Sequence, residues 1–222
     1  MSAKNTSSDS NSSVFIQQHS AQLRIWHWLT FLFITGSIVT VLFNSTMLSS
    51  RDNVSLVKEQ LERKGVTVND EQAFAVSHEY EEKMWDVHKL IGYGLAILLL
   101  ARVVIEFTQP EEEKMRNRLK KAIQLSKSAD SNKADYTHYI RVKRSYMLFF
   151  VLLFLMVLTG LGMSFGRELS FSREILRNVK SVHEFVQYLI YVFIIIHLAG
   201  VVLAENGKIR GIVSGMIHGN KS

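Results

Sequence analysis

The chain has 222 residues, a formal net charge of +6, a pI of about 9.5 and no cysteine. The absence of thiols excludes disulfides, thiolate-held iron–sulfur clusters and thioether attachment of a prosthetic group. Stretches 25–48, 145–166 and 185–204 carry no Asp, Glu, Lys or Arg. Each is close to the ~20 residues that cross a bilayer as a helix, and three of them in so short a chain exclude an ordinary soluble protein.

Residues 1–20 begin with the polar, serine-rich run MSAKNTSSDSNSS and are expected to be a disordered tail. They lack the charged-then-apolar order of a cleaved signal peptide, so the first apolar segment, about 24–48, is expected to stay as a helix. The connection 49–83 is rich in acids: Glu59, Glu62, Asp70, Glu71, Glu79, Glu81 and Glu82. A second segment spans about 84–107, and its hydropathy is the weakest of the set. Only 90–101 is free of charge, with Arg102 and Glu106 further in, so hydropathy alone also permits a buried soluble helix. The connection 108–144 carries ten Lys and Arg, among them Arg116, Arg118, Lys120, Lys121, Arg141, Lys143 and Arg144. Segments three and four follow at about 140–166 and 181–204. Backbone polar groups in lipid must be satisfied within each segment, so all four are read as helices. The expected fold is an all-α membrane protein, a four-transmembrane-helix bundle occupying 21–219.

The basic 108–144 connection favours the cytoplasmic side of the membrane. Four crossings then put both termini in the cytoplasm, in agreement with Lys208 and Arg210, and leave 49–83 and 167–180 facing the periplasm or exterior. Trp26, Trp28 and Trp85 fall at segment ends, where interfacial aromatics are favoured. Membrane lipid is therefore an expected partner and nucleic acid is not.

The chemistry is carried by histidines. His183 and His197 are fourteen residues apart, almost four helical turns, so both sit on one face, roughly 21 Å apart along the axis. His27 lies just inside segment one at the depth of His197, and His88 near the start of segment two at the depth of His183. The pairs His27/His197 and His88/His183 use relative depth only and hold under inversion of the topology. Ionisable side chains within a membrane are costly and mark function. Two depth-matched imidazole pairs are what two stacked bis-histidine haems require, an inner iron on His27 and His197 and an outer iron on His88 and His183. With no cysteine, both would be non-covalent haem b. The other reading of each histidine is an interfacial or packing residue. His19, His78, His138 and His218 lie in polar or flanking stretches and are read as solvated.

Arg102 lies fourteen residues after His88 and repeats the spacing of segment four, which places it at the inner depth. A buried guanidinium needs an anion, and a haem propionate would be a bidentate one. A snorkelling arginine is the alternative. Arg24 could serve the inner haem in the same way and Lys89 the outer one. Glycines 36, 92, 94, 160, 162 and 200 stand within the apolar segments and admit close approach of a macrocycle or of another helix. Segment three has no histidine between Ser145 and Gly166 and is expected to pack rather than ligate.

Trp26-His27-Trp28, His88-Lys89-x-x-Gly92 with Arg102, and His183-x13-His197 resemble the bacterial di-haem cytochromes b. These include the bacterial cytochrome b561 family and the cytochrome b subunit of membrane-bound nickel–iron hydrogenases. The ending GIVSGMIHG at 211–219 is similar to the hydrogenase-type tail. The resemblance covers about 20–219, and the 49–83 connection is longer and more acidic than a minimal cytochrome b561 has. It is a partner-holding element or, by default, a solvated amphipathic helix.

The resemblance implies electron transfer between a quinone and a redox partner, such as a periplasm-facing iron–sulfur or hydrogenase subunit, or a stand-alone quinone oxidoreductase. Glu106, His19 and Arg141 are near enough to the cytoplasmic ends to serve a quinone, and no spacing ranks them. Bis-histidine iron leaves no open position for oxygen, which favours electron shuttling. A histidine-based metal transporter or scaffold is a third reading, disfavoured by the division of the histidines between two depths without carboxylates.

Overall fold

The computed structural model describes residues 21–108, 114–127, 133–206, 215–217 and 219. Among the described residues the longer helices follow in chain order as α1 Ala21–Thr46, α2 Val54–Glu62, α3 Asp70–Thr108, α4 Met115–Lys127, α5 Lys133–Ser164 and α6 Arg173–Glu205. No strand occurs among the described residues. The spans long and apolar enough to cross a membrane are four: α1, α3, Tyr139–Ser164 within α5, and α6. The protein is an all-α, four-helix membrane bundle. Residues 1–20, His19, His218, Lys208, Arg210 and the side chain of His138 lie outside the described residues.

Local chemistry explains boundaries that hydropathy does not. α1 ends where Asn53 Nδ2 donates to the carbonyls of Met47 and Ser49 at 2.8 and 3.0 Å. α2 closes in a Schellman motif: Gly65 N–H donates to Glu62 O, Val66 N–H to Leu61 O, and Gly65 takes φ +78. α3 starts at Asp70 rather than near 84 because Asn69 forms a capping box. Asn69 Oδ1 accepts from Gln72 N–H at 2.9 Å, and Asn69 N–H donates to Gln72 Oε1 at 3.0 Å. Asp70 and Glu71 in its first turn suit the helix dipole. Likewise α6 begins at Arg173 rather than near 181, with the Ser172 hydroxyl accepting from Ile175 N–H at 3.2 Å.

α3 packs between α1 and α5, and α6 packs on α5, while α2 lies on α3 and α4 on α5. One core seam joins Leu95 and Leu99 of α3 to Leu153 of α5, covered by Phe33 and Ile34 of α1. A second joins Leu152 of α5 to Val186 and Ile190 of α6. At Gly94 the Phe33 ring occupies the space a side chain would need, so α1 and α3 approach there through glycine. Leu32, Ile97, Leu100, Ile195 and Leu203 are all exposed. In water that much apolar surface would be untenable; against hydrocarbon it is the expected exterior.

Candidate functional site

The helices bring the predicted side chains together in two layers. At the end of the bundle that carries α4, His27 of α1 and His197 of α6 face each other, with ring centroids 6.3 Å apart and planes at 51°. The His197 ring lies parallel to Phe193, one turn earlier, at 6.1 Å and 5°. Phe193 in turn stacks on Phe149 of α5 at 5.1 Å. His27 also meets Trp28 at 5.5 Å.

Two arginines belong to this layer. Arg102 is nearly buried, its side chain 12% exposed. Its Nε donates to Tyr146 Oη at 2.8 Å and its Nη2 to Glu106 Oε2 at 3.1 Å. The guanidinium sits 5.8 and 5.9 Å from the Tyr146 and Phe150 ring centroids. Its Nη1 is buried without a hydrogen-bond partner, as is Arg24 Nε. The Arg24 guanidinium closes on Gly219, whose φ of +75 favours glycine. Trp28 Nε1 donates to Met216 O at 3.0 Å and ties the same short C-terminal turn to α1. Trp26 donates to Leu98 O at 2.8 Å and stacks on Phe150, locking α1 against α3 and α5. Glu106, named above for a quinone, is held by Arg102 and by Met115 N–H, which donates to Oε1 at 2.8 Å. Arg141 is exposed.

At the α2 end, His88 of α3 and His183 of α6 lie within electrostatic reach of each other. Thr40 Oγ1 of α1 is 2.8 Å from His88 Nδ1, and Ser37 Oγ is 3.4 Å from it. Thr159 Oγ1 of α5 is 2.9 Å from His183 Nδ1. Trp85 meets the His88 ring edge-on at 5.5 Å. Gly160 faces His183, where a Cβ would stand 3.4 Å from Cε1. Lys89 pairs with Asp86 at 2.6 Å on the helix surface. His78 is exposed beside Phe74 and Glu82.

Thr40, Thr159 and Tyr146 were not found by reading the sequence. Each is a hydroxyl in or beside an uncharged run, a polar group that lipid would not satisfy. That was the available signal, but its partner lies on another helix and no spacing gives it. Among the described residues no three His, Cys, Asp or Glu side chains come together. Each layer thus holds a pair of imidazoles, two short of the four protein ligands of a structural zinc site.

The family described as prokaryotic cytochrome b561 matches residues 18–219. The chain belongs to this family. No curated protein and no solved structure matches it. As a prokaryotic cytochrome b561 it is a multi-pass membrane b-type cytochrome of electron transfer, and the family implies b-type haem. The two-ligand layers suit that group, since haem supplies the equatorial nitrogens that the protein does not. The unpartnered nitrogens of Arg102 and Arg24 suit it as well, because its propionates are anions.

Proposed function

We propose that this cytochrome carries two haem b groups and passes electrons across the bacterial cytoplasmic membrane between a redox partner and the quinone pool. His27 and His197 would hold the haem at the α4 end, and His88 and His183 the one at the α2 end. The observation that carries the reading is the facing pair of His27 and His197, 6.3 Å between centroids on two helices that are not a closely packed pair. Two imidazoles that held one metal between them through nitrogens at ~2 Å would need about that separation. When bound, the haem supplies a one-electron ferric–ferrous couple.

The chain's own residues supply the rest. His27, His197, His88 and His183 would hold the irons in pairs and leave no open position for oxygen. Arg102 and Arg24 offer positive charge where propionates would end, while Lys89 would serve the outer haem only by leaving Asp86. The apolar seams keep water from the interior between the two layers. The basic helix α4, MRNRLKKAIQLSK, lies in the 108–144 connection and supports a cytoplasmic position for that end, with both termini cytoplasmic. The α2 end then faces the periplasm, and α2 with the first turns of α3 offers an external surface for an iron–sulfur or hydrogenase subunit.

Adding a reduced quinone analogue to the detergent-purified protein under anaerobic conditions is expected to reduce its haem absorption bands. Bands that stay oxidised would remove the quinone from the scheme. Co-purification of an iron–sulfur subunit would distinguish a partnered cytochrome from a stand-alone quinone oxidoreductase.

A further inference from the structure

His88 and His183 are held by the same device on two different helices. Thr40 Oγ1 donates to Ser37 O at 2.7 Å, three residues back on α1. Thr159 Oγ1 donates to Leu155 O at 2.7 Å, with Met156 O at 3.1 Å. Such back-bonding is the usual fate of a threonine hydroxyl proton in a helix. With that proton committed to a carbonyl, the hydroxyl oxygen has only lone pairs to present to a third group. The third group is an imidazole in both cases, at 2.8 Å from His88 Nδ1 and 2.9 Å from His183 Nδ1. The nearest polar partner of each Nδ1 is therefore an acceptor, the Ser37 hydroxyl standing further off at 3.4 Å from His88 Nδ1. A lone pair on Nδ1 would point at the threonine's lone pairs, whereas a proton there meets an oxygen.

We propose that Thr40 and Thr159 are positioning residues that fix His88 and His183 as Nδ1–H tautomers. Nε2 is then the ring nitrogen of each that would bind iron. This rests on the reading of His88 and His183 as a ligand pair. Accepting a hydrogen bond from Nδ1–H orients the ring and raises its basicity at Nε2. The hydroxyl is a better acceptor because it is itself donating. A more basic axial imidazole favours ferric over ferrous iron, so the two threonines lower the reduction potential of the outer haem. Among the described residues no hydroxyl meets His197, which lies instead against Phe193. The device is a feature of the α2-end pair that His197 does not share.

The test is a spectroelectrochemical titration of the purified cytochrome with Thr40→Val, Thr159→Val and the double variant. Valine keeps the shape of threonine and removes the acceptor. The expected result is two haems per chain and a ferric-to-ferrous ratio at the outer site lowered about three- to tenfold, an upward shift of about 30–60 mV at 59 mV per tenfold for one electron. The inner midpoint stays in place and Thr→Ser restores the wild-type value. If valine ejects the outer haem, retention in the serine variants supports the hydrogen bond, and loss from serine as well overturns it. Unmoved midpoints in a double valine variant that keeps both haems overturn the inference while leaving the ligand pairs intact. Two haems retained in His88→Ala would show instead that the ligand assignment itself is wrong, and this inference would fall with it.

Discussion

His27 and His197 face each other from helices α1 and α6 with their ring centroids 6.3 Å apart, although the two residues are at opposite ends of the sequence. α1 and α6 are not among the closely packed helix pairs, which run α1–α3–α5–α6. The separation is about what two imidazoles holding one metal between them would need. Replacing His197 with alanine is expected to remove the inner haem and leave the outer one spectroscopically intact. Haem content and a redox titration measure this. Loss of neither haem, or of the outer one alone, would break the pairing.

Arg102 is the best-satisfied charge near this layer and still has one bare nitrogen. Tyr146 and Glu106 take Nε and Nη2, while Nη1 is buried and unpartnered. Arg102→Leu strips Glu106 of its counter-ion and is expected to destabilise the bundle by about 1–3 kcal/mol, below the value for a fully buried pair because Glu106 is partly exposed. Removing positive charge beside the inner haem favours its ferric form, so its midpoint should fall or its retention decrease. An unchanged titration curve would limit Arg102 to its contacts with Tyr146 and Glu106.

Gly160 and Gly92 look alike in sequence, glycines within apolar segments, but their surroundings differ. A Cβ at Gly160 would stand 3.4 Å from His183 Cε1, whereas one at Gly92 would meet nothing within 4 Å. Gly160→Leu is expected to displace His183 and cost the outer haem, while Gly160→Ala needs only a small adjustment. Gly92→Leu should keep both haems. Equal behaviour of the two leucine variants in haem content would argue against a site at His183.

The bundle was legible because lipid imposes a coarse requirement: about twenty uncharged residues per crossing, read directly from 25–48, 145–166 and 185–204. α3 was harder, since Arg102 and Glu106 interrupt its hydropathy, and its charges are resolved only by pairing with each other and with Tyr146. Its early start at Asp70 was written in the sequence as Asn69-Asp70-Glu71-Gln72, a capping signal that a hydropathy reading passes over. The common depth of His27 and His197 was accessible from the sequence, because in a membrane depth is one coordinate that sequence position measures. The Thr40–His88 and Thr159–His183 contacts depend on helix rotation and neighbour order, which no single-segment pattern encodes.

The same capping signal gives a prediction separate from the haems. Asn69→Ala removes the acceptor for Gln72 N–H and should cost about 1 kcal/mol at the start of α3. Faster amide exchange confined to the first turns of α3, with haem content unchanged, is the expected result. Loss of haem in this variant would tie the α2-end extension to the site.

The most direct measurement is a pyridine haemochrome count on the detergent-purified protein, with its dithionite-reduced minus oxidised spectrum. The two-layer arrangement predicts two haem b per chain, with the sharp α-band of low-spin bis-histidine iron. One haem per chain would mean that either His27/His197 or His88/His183 is not a ligand pair, and none would contradict the account as a whole.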